Sequence, residues 1–110
     1  MRKDVELLAE SAVMTGLGDR HVTPPYGVFG GKPGALARTV LNPDRNAQEL
    51  GSKEVVSLSK GDIVSFQLSG AGGYGDPSKR DPARIEADLA DGYVSPEGAA
   101  KQYGYTPEAK

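Results

Sequence analysis

Residues 19–50 restrict this chain more than any other stretch. They read DRHVTPPYGVFGGKPGALARTVLNPDRNAQEL, with Pro24, Pro25, Pro33 and Pro43 and with glycine at 27, 30, 31 and 34. Proline fixes φ, lacks an N–H and pushes its predecessor into extended backbone, while glycine admits tight turns. No long helix runs through such a stretch, which is expected to be a chain of turns and polyproline-like extended pieces. Tyr26, Val28, Phe29, Leu36, Val40 and Leu41 interrupt it. A solvated linker would not hold so many apolar side chains, so we expect an ordered irregular segment pressed against something.

The flanking segments are more regular. Residues 4–17 fit two templates equally. Val5, Leu8, Ala9, Ala12 and Val13 follow a helical stripe, while Val5, Leu7, Ala9 and then Val13, Thr15, Leu17 alternate as two short strands. Gly16, Gly18 and Asp19 end the element in either case. Residues 53–69 give the clearest β signal: Val55, Val56 and Leu58, a short polar Ser59-Lys60-Gly61-Asp62 turn, then Ile63, Val64, Phe66 and Leu68. That pattern predicts a β-hairpin. A glycine-rich loop fills 70–77. Two short helices are expected within 81–104, each opening on a capping residue followed by proline: Asp81-Pro82 and Ser95-Pro96. Ile85 and Leu89 share a face of the first, Asp91-Gly92 stops it, and Gly104 stops the second. Residues 105–110 read as a frayed tail. The expected fold is thus a single small domain over 1–110, mainly β with two short C-terminal helices.

Composition narrows the function. With 13 Lys and Arg against 15 Asp and Glu, the net charge is −2, so the basic excess that neutralises nucleic-acid phosphates is missing. No cysteine is present, which removes disulfides, thiolate zinc sites and thiol catalysis. No apolar run reaches the length of a membrane span. The charged start lacks a signal peptide's apolar stretch, so the expected location is the cytoplasm. Val, Leu, Ile and Phe together number 22 of 110 residues, a thin supply for one core, and part of the stability is expected from packing on a larger partner.

Gly70-Ala71-Gly72-Gly73-Tyr74-Gly75 fits G-x-G-x-x-G after a strand. A dinucleotide fingerprint would open a helix directly, but here Asp76-Pro77 follows and the helix waits until Pro82. The favoured reading is a turn where backbones approach closely. Gly70, Gly72, Gly73, Tyr74 and Gly75 are nonetheless the loop to suspect of facing a shared site. His21 is the only histidine, too little for a metal set, and is read as structural or exposed. Asp76, Asp81, Glu86, Asp88 and Asp91 are read as caps and solvated helix face, not as paired catalytic carboxylates. The aromatics are read as packing or interface anchors, with Pro24, Pro25, Tyr26, Phe29, Tyr93 and Tyr103 the interface set. No residue is assigned a catalytic, cofactor-binding or metal-binding role.

Taken in order, several motifs resemble a known family. The run Pro24-Pro25-Tyr26-Gly27-Val28-Phe29-Gly30-Gly31-Lys32-Pro33-Gly34 is similar to the PPxGxxGGxPG segment of the hydantoinase B/oxoprolinase family, as is Leu50-Gly51-Ser52-Lys53. Gly72-Gly73-Tyr74-Gly75-Asp76-Pro77, Arg80-Asp81-Pro82, Asp91-Gly92-Tyr93-Val94-Ser95-Pro96-Glu97 and Tyr103-Gly104 resemble its C-terminal end in order and spacing. The likeness covers residues 19 to 105. It implies strands for the ambiguous start and a barrel-like β fold beside polyproline-like segments. It also implies ATP-dependent chemistry in which an actin-like A-type ATPase subunit phosphorylates the substrate and a B-type module handles the product. ATP, with Mg, would then bind a partner and no cofactor this chain. The family's B-type subunit is much longer, so the chain resembles either a separately encoded small subunit, as in acetophenone carboxylase, or an excised fragment. The competing reading is a free-standing small-molecule or nucleotide-binding module using the Gly70–Gly75 loop.

Overall fold

In a computed structural model that describes residues 1–107, the ambiguous start is two strands. In chain order the strands are β1 (Arg2–Glu6), β2 (Ser11–Leu17), β3 (Arg38–Leu41), β4 (Gln48–Leu50), β5 (Lys53–Ser59) and β6 (Ile63–Gln67). Where the sequence reads as one small domain, the described residues form two compact units. The first comprises Met1–Tyr26 and Pro33–Gly72; the second comprises Gly27–Lys32 and the chain from Gly73 on.

All six strands belong to the first unit, and the expected 53–69 hairpin is not formed. β5 and β6 exist, but β5 pairs with β2, while β6 lies between β1 and β3 in an antiparallel sheet of order β1-β6-β3-β4. The physical reason is a longer ribbon. β1 and β2 run in succession against β6 and β5, with Glu6 opposite Ile63 and Ser11 opposite Ser59. Between these pairs Leu7–Glu10 meet Lys60–Asp62, one residue more on the first strand than on the second, as in a β-bulge that bends the ribbon. Leu7 N–H donates to Asp62 O (2.9 Å), Gly61 N–H to Leu7 O (2.9 Å) and Lys60 N–H to Glu10 O (3.1 Å). Gly61 takes φ +87° there. Side chains fix the corner: the Asp62 carboxylate accepts from Ser59 N–H (2.8 Å) and Asn42 Nδ2 (3.0 Å), and Asn42 Oδ1 accepts from Ile63 N–H (2.9 Å). These bonds hand the start of β6 to β3 and away from β5.

β3 and β4 lie inside the Pro/Gly-rich stretch, which holds more regular structure than its composition predicts. Arg38-Thr39-Val40-Leu41 contains neither Pro nor Gly and two β-branched residues, so it pairs as soon as the glycines end. Among the described residues the strands close no barrel; β1 and β4 are the edges of an open sheet. The core of this unit is small: Ala37, Val40, Leu50, Leu58 and Val64 are the buried apolar side chains, and Ser65 is fully buried on central β6.

The second unit contains a 3-10 turn over Pro77–Lys79 and both expected helices, α1 (Pro82–Ala90) and α2 (Pro96–Tyr103). Asp81 accepts from Ala83 N–H (3.0 Å) and Ser95 Oγ from Gly98 N–H (3.0 Å). Gly104 closes α2 at φ +65°. Helices this short depend on docking. Ile85 and Ala99 are their buried side chains, and the Arg80 guanidinium binds Asp88 (2.7 Å) and covers the Tyr103 ring at 5.7 Å. The expected frayed tail does not begin at Tyr105: its N–H donates to Ala99 O (3.2 Å) and its hydroxyl to Glu86 (2.7 Å). Residues 108–110 of that tail lie outside the described residues.

Candidate functional site

The second unit contains a tight turn over Val28–Gly31. Gly31 N–H donates to Val28 O (2.9 Å), and both central residues have positive φ, Phe29 at +50° and Gly30 at +85°. This is type I′ geometry. Glycine occupies one left-handed position without strain; a phenylalanine occupies the other. Such backbone costs a side-chain-bearing residue about 1–2 kcal/mol, so the turn is held from outside. Val28 N–H donates to Gly73 O (2.9 Å), Gly75 N–H to Val28 O (2.9 Å) and Gly73 N–H to Lys32 O (2.8 Å), with Val28 and Tyr74 bridged in parallel. The approach is so close that a Cβ on Gly31 would run into the Gly73 carbonyl.

The clip aligns two aromatic rings. Phe29 and Tyr74 lie 5.2 Å apart between centroids, tilted by 58°, and each is 80% exposed. A strained turn that presents a bare phenylalanine beside a bare tyrosine contributes little to its own unit.

The other expected site residues scatter. Gly73, Tyr74 and Gly75 are brought against Val28–Lys32, whereas Gly70 and Gly72 belong to the first unit, where Gly70 N–H donates to Ala35 O (3.0 Å). Of the interface set, Tyr26 and Tyr93 are exposed like Phe29. Pro24 and Pro25 are half-buried, and Pro25 O accepts from Gly34 N–H (2.9 Å). Tyr103 is half-buried, with the Arg80 guanidinium over its ring.

Three of the six N–H groups of the Gly70–Gly75 loop are already used. A G-x-G-x-x-G loop binds phosphate through free backbone N–H groups, and those of Gly70, Gly73 and Gly75 already donate to carbonyls within their units. No group of three or more His, Asp or Glu side chains able to hold a metal occurs among the described residues. Four acidic residues of the second unit are in use: Asp76 accepts from Ser78 Oγ and N–H, which hold its carboxyl below the usual aspartate range, Asp81 caps α1, Asp88 pairs with Arg80, and Glu86 takes the Tyr105 hydroxyl.

In the first unit His21 faces Asp19 O through Nδ1 (3.1 Å) and Thr39 Oγ1 through Nε2 (3.2 Å). A carbonyl only accepts, so Nδ1 is the donor in the contact with Asp19. The ring borders a cavity of about 250 Å³ lined also by Met14, Leu17, Leu50 and Phe66. No local motif announces this cavity, because its walls come from strands far apart in sequence.

Comparison with known proteins supplies the context. The family model described as Hydantoinase B/oxoprolinase matches residues 1–77. The chain is 30% identical over 108 residues to caprolactamase subunit beta of Pseudomonas jessenii, covering 94% of this chain and 19% of that one. It is 39% identical over 56 residues to the acetophenone carboxylase delta subunit of Aromatoleum aromaticum, covering 50% of this chain and 8% of that one. The crystal structure of ATP-dependent caprolactamase from Pseudomonas jessenii superposes with a TM-score of 0.74 at 28% identity, covering 98% of this chain and 20% of that chain. The chain thus spans about a fifth of the length of the relatives matched along nearly all of it. Among the described residues no helix is long and apolar enough to cross a membrane.

Proposed function

Because the chain belongs to the hydantoinase B/oxoprolinase family, we propose that it is a small structural subunit of an ATP-dependent, multi-subunit carboxylase or hydantoinase/oxoprolinase-type hydrolase. Its partners are larger chains: a B-type module, whose β system it completes toward a barrel-like whole, and an actin-like A-type ATPase that binds ATP with Mg. The isolated chain turns over no substrate, and the complex works in the cytoplasm.

The observation that carries this reading is an imbalance. Among the described residues seven apolar side chains are buried, and 14 large ones are exposed, Phe29, Tyr74 and Tyr93 among them. Folding alone gives no reason for that ratio. Relatives named as subunits of caprolactamase and acetophenone carboxylase contain the matched stretch as part of much longer chains, and a larger assembly would cover the excess. Co-expression with the B-type and A-type chains of its own source, followed by size-exclusion chromatography, tests the proposal. Co-elution is expected; elution apart from all of them refutes it. Calorimetric titration of the isolated chain with ATP, NAD and phosphate is expected to show no saturable binding, and tight binding would favour a free-standing binding module.

A further inference from the structure

The strand edges of the first unit are not equally protected. An unpaired edge presents free N–H and C=O groups, and stable proteins shield it with charge, proline or short length. β1 carries Arg2, Lys3, Asp4 and Glu6 among its five residues, β4 is three residues long, and β5 opens on Lys53-Glu54. β2 has none of these devices. Its seven residues, Ser-Ala-Val-Met-Thr-Gly-Leu, contain no charge and no proline, and it pairs with β5 alone among the described residues.

The faces of the same ribbon point the same way. Ala12, Met14 and Gly16 are half-buried, while Val13 and Leu17 on the opposite face are 69% and 79% exposed. Val55, opposite Thr15 on β5, adds a third exposed apolar side chain at 66%. Two strands alone are marginal; a third strand with a cover makes a ribbon stable. Resting on the proposed membership of a larger complex, we infer that β2 is the assembly edge: an extended segment of the B-type partner adds to it as a further strand and lays apolar side chains over Val13, Leu17 and Val55. Strand addition matches this edge, since backbone bonds supply affinity and alternate side chains supply specificity. The occupant is a B-type segment and not a second copy, because the superposing caprolactamase chain has this fold as 20% of its length, leaving about four-fifths of that chain to lie around it.

The test compares the full chain free and co-expressed with its B-type and A-type chains, using hydrogen–deuterium exchange and size-exclusion chromatography. In the complex the amides of Ser11–Leu17 exchange more slowly than in the free chain. Val13→Lys combined with Leu17→Lys removes the chain from the complex peak, whereas Val22→Lys, 85% exposed and outside β2, stays in it. Circular dichroism of the free double variant shows an unchanged fold, as expected for two exposed positions. Complex formation with unchanged β2 exchange and retention of the double variant overturns this inference and leaves the subunit reading standing. A free-chain dimer whose β2 amides are slowed, and which the double variant dissolves, overturns the named occupant in favour of a second copy. Failure of the unmodified chain to join any complex refutes the subunit reading itself.

Discussion

Phe29 separates the cost of a backbone from the value of a side chain. Its φ of +50° places a bulky residue in the left-handed region, at about 1–2 kcal/mol. Against that stand two gains. Ring contact with Tyr74 is worth about 0.5–1.5 kcal/mol when well formed. Burial adds little, because at 80% exposure only about a fifth of the roughly 1.5–3 kcal/mol for a fully buried phenylalanine is realised, about 0.3–0.6 kcal/mol. Phe29→Gly removes the strain and both gains, so the isolated chain should change by no more than about 1 kcal/mol, although a large aromatic is lost. Phe29→Ala removes the gains and keeps the strain, and should cost about 1–2 kcal/mol. The glycine variant is therefore expected to be more stable than the alanine variant by about 1 kcal/mol, the reverse of the order at an ordinary extended position. Urea unfolding of both variants, with midpoints compared at constant slope, measures the difference. Alanine equal to or better than glycine would refute a left-handed Phe29. A loss above about 2 kcal/mol in Phe29→Gly would show that the ring serves the fold and not a partner.

Other expectations follow from the same contacts. Gly31→Ala drives a Cβ into the Gly73 carbonyl, with backbone on both sides, and should cost about 1–3 kcal/mol; limited proteolysis read by mass spectrometry should show new cleavage within residues 27–32. Asp62 is held below the ordinary aspartate range by Ser59 N–H first and Asn42 second. Its folded form therefore releases its proton more readily than the unfolded chain does. The stabilisation is present above the unfolded value of about 3.9 and fades as pH falls through the lower folded value; Asp62→Asn should flatten that acid dependence in urea midpoints, and an unchanged slope would refute the role. Asp88→Asn leaves the Arg80 guanidinium without its charged partner. With both side chains about a third exposed, the loss should be about 1–2 kcal/mol, seen as earlier melting of the far-UV helix signal.

The helices are legible because their signals are local: Asp81-Pro82, Ser95-Pro96 and Gly104 each act within one turn. β5 and β6 are legible as strands for the same reason. Their pairing is not, since a Ser-Lys-Gly-Asp corner serves a hairpin and a bent ribbon alike, and the partners that decide between them lie about fifty residues earlier. Proline and glycine density conceals β3, which begins only four residues after Gly34. The glycine loop is readable as close backbone approach, and Gly73 does pack on Gly31. What stays hidden is the turn that presents Phe29, because type I′ turns favour Asn-Gly and Phe-Gly does not advertise one. Tyr103 and Tyr93 look alike in sequence. One is half-buried under a guanidinium and the other is 83% exposed, a distinction only the packing of Arg80 creates.

The double meaning of residues 4–17 has a physical source. A strand with one wet face alternates cleanly, and a helix carries one apolar stripe; β2 does neither. Its half-buried side has Ala12, Met14 and Gly16, small or flexible side chains that contribute little to a periodic signal, while its bare side has Val13 and Leu17. Apolar residues on both sides of a strand fit a sheet covered on both faces, and among the described residues only one face is covered. The same two-sidedness that blurs helix against strand thus marks the surface assigned to the partner. If exchange shows β2 protected only in the complex, the ambiguity in the sequence and the gap in the fold have one cause. Should the free chain already protect those amides, the outer face needs no cover, and the assignment of β2 to assembly falls.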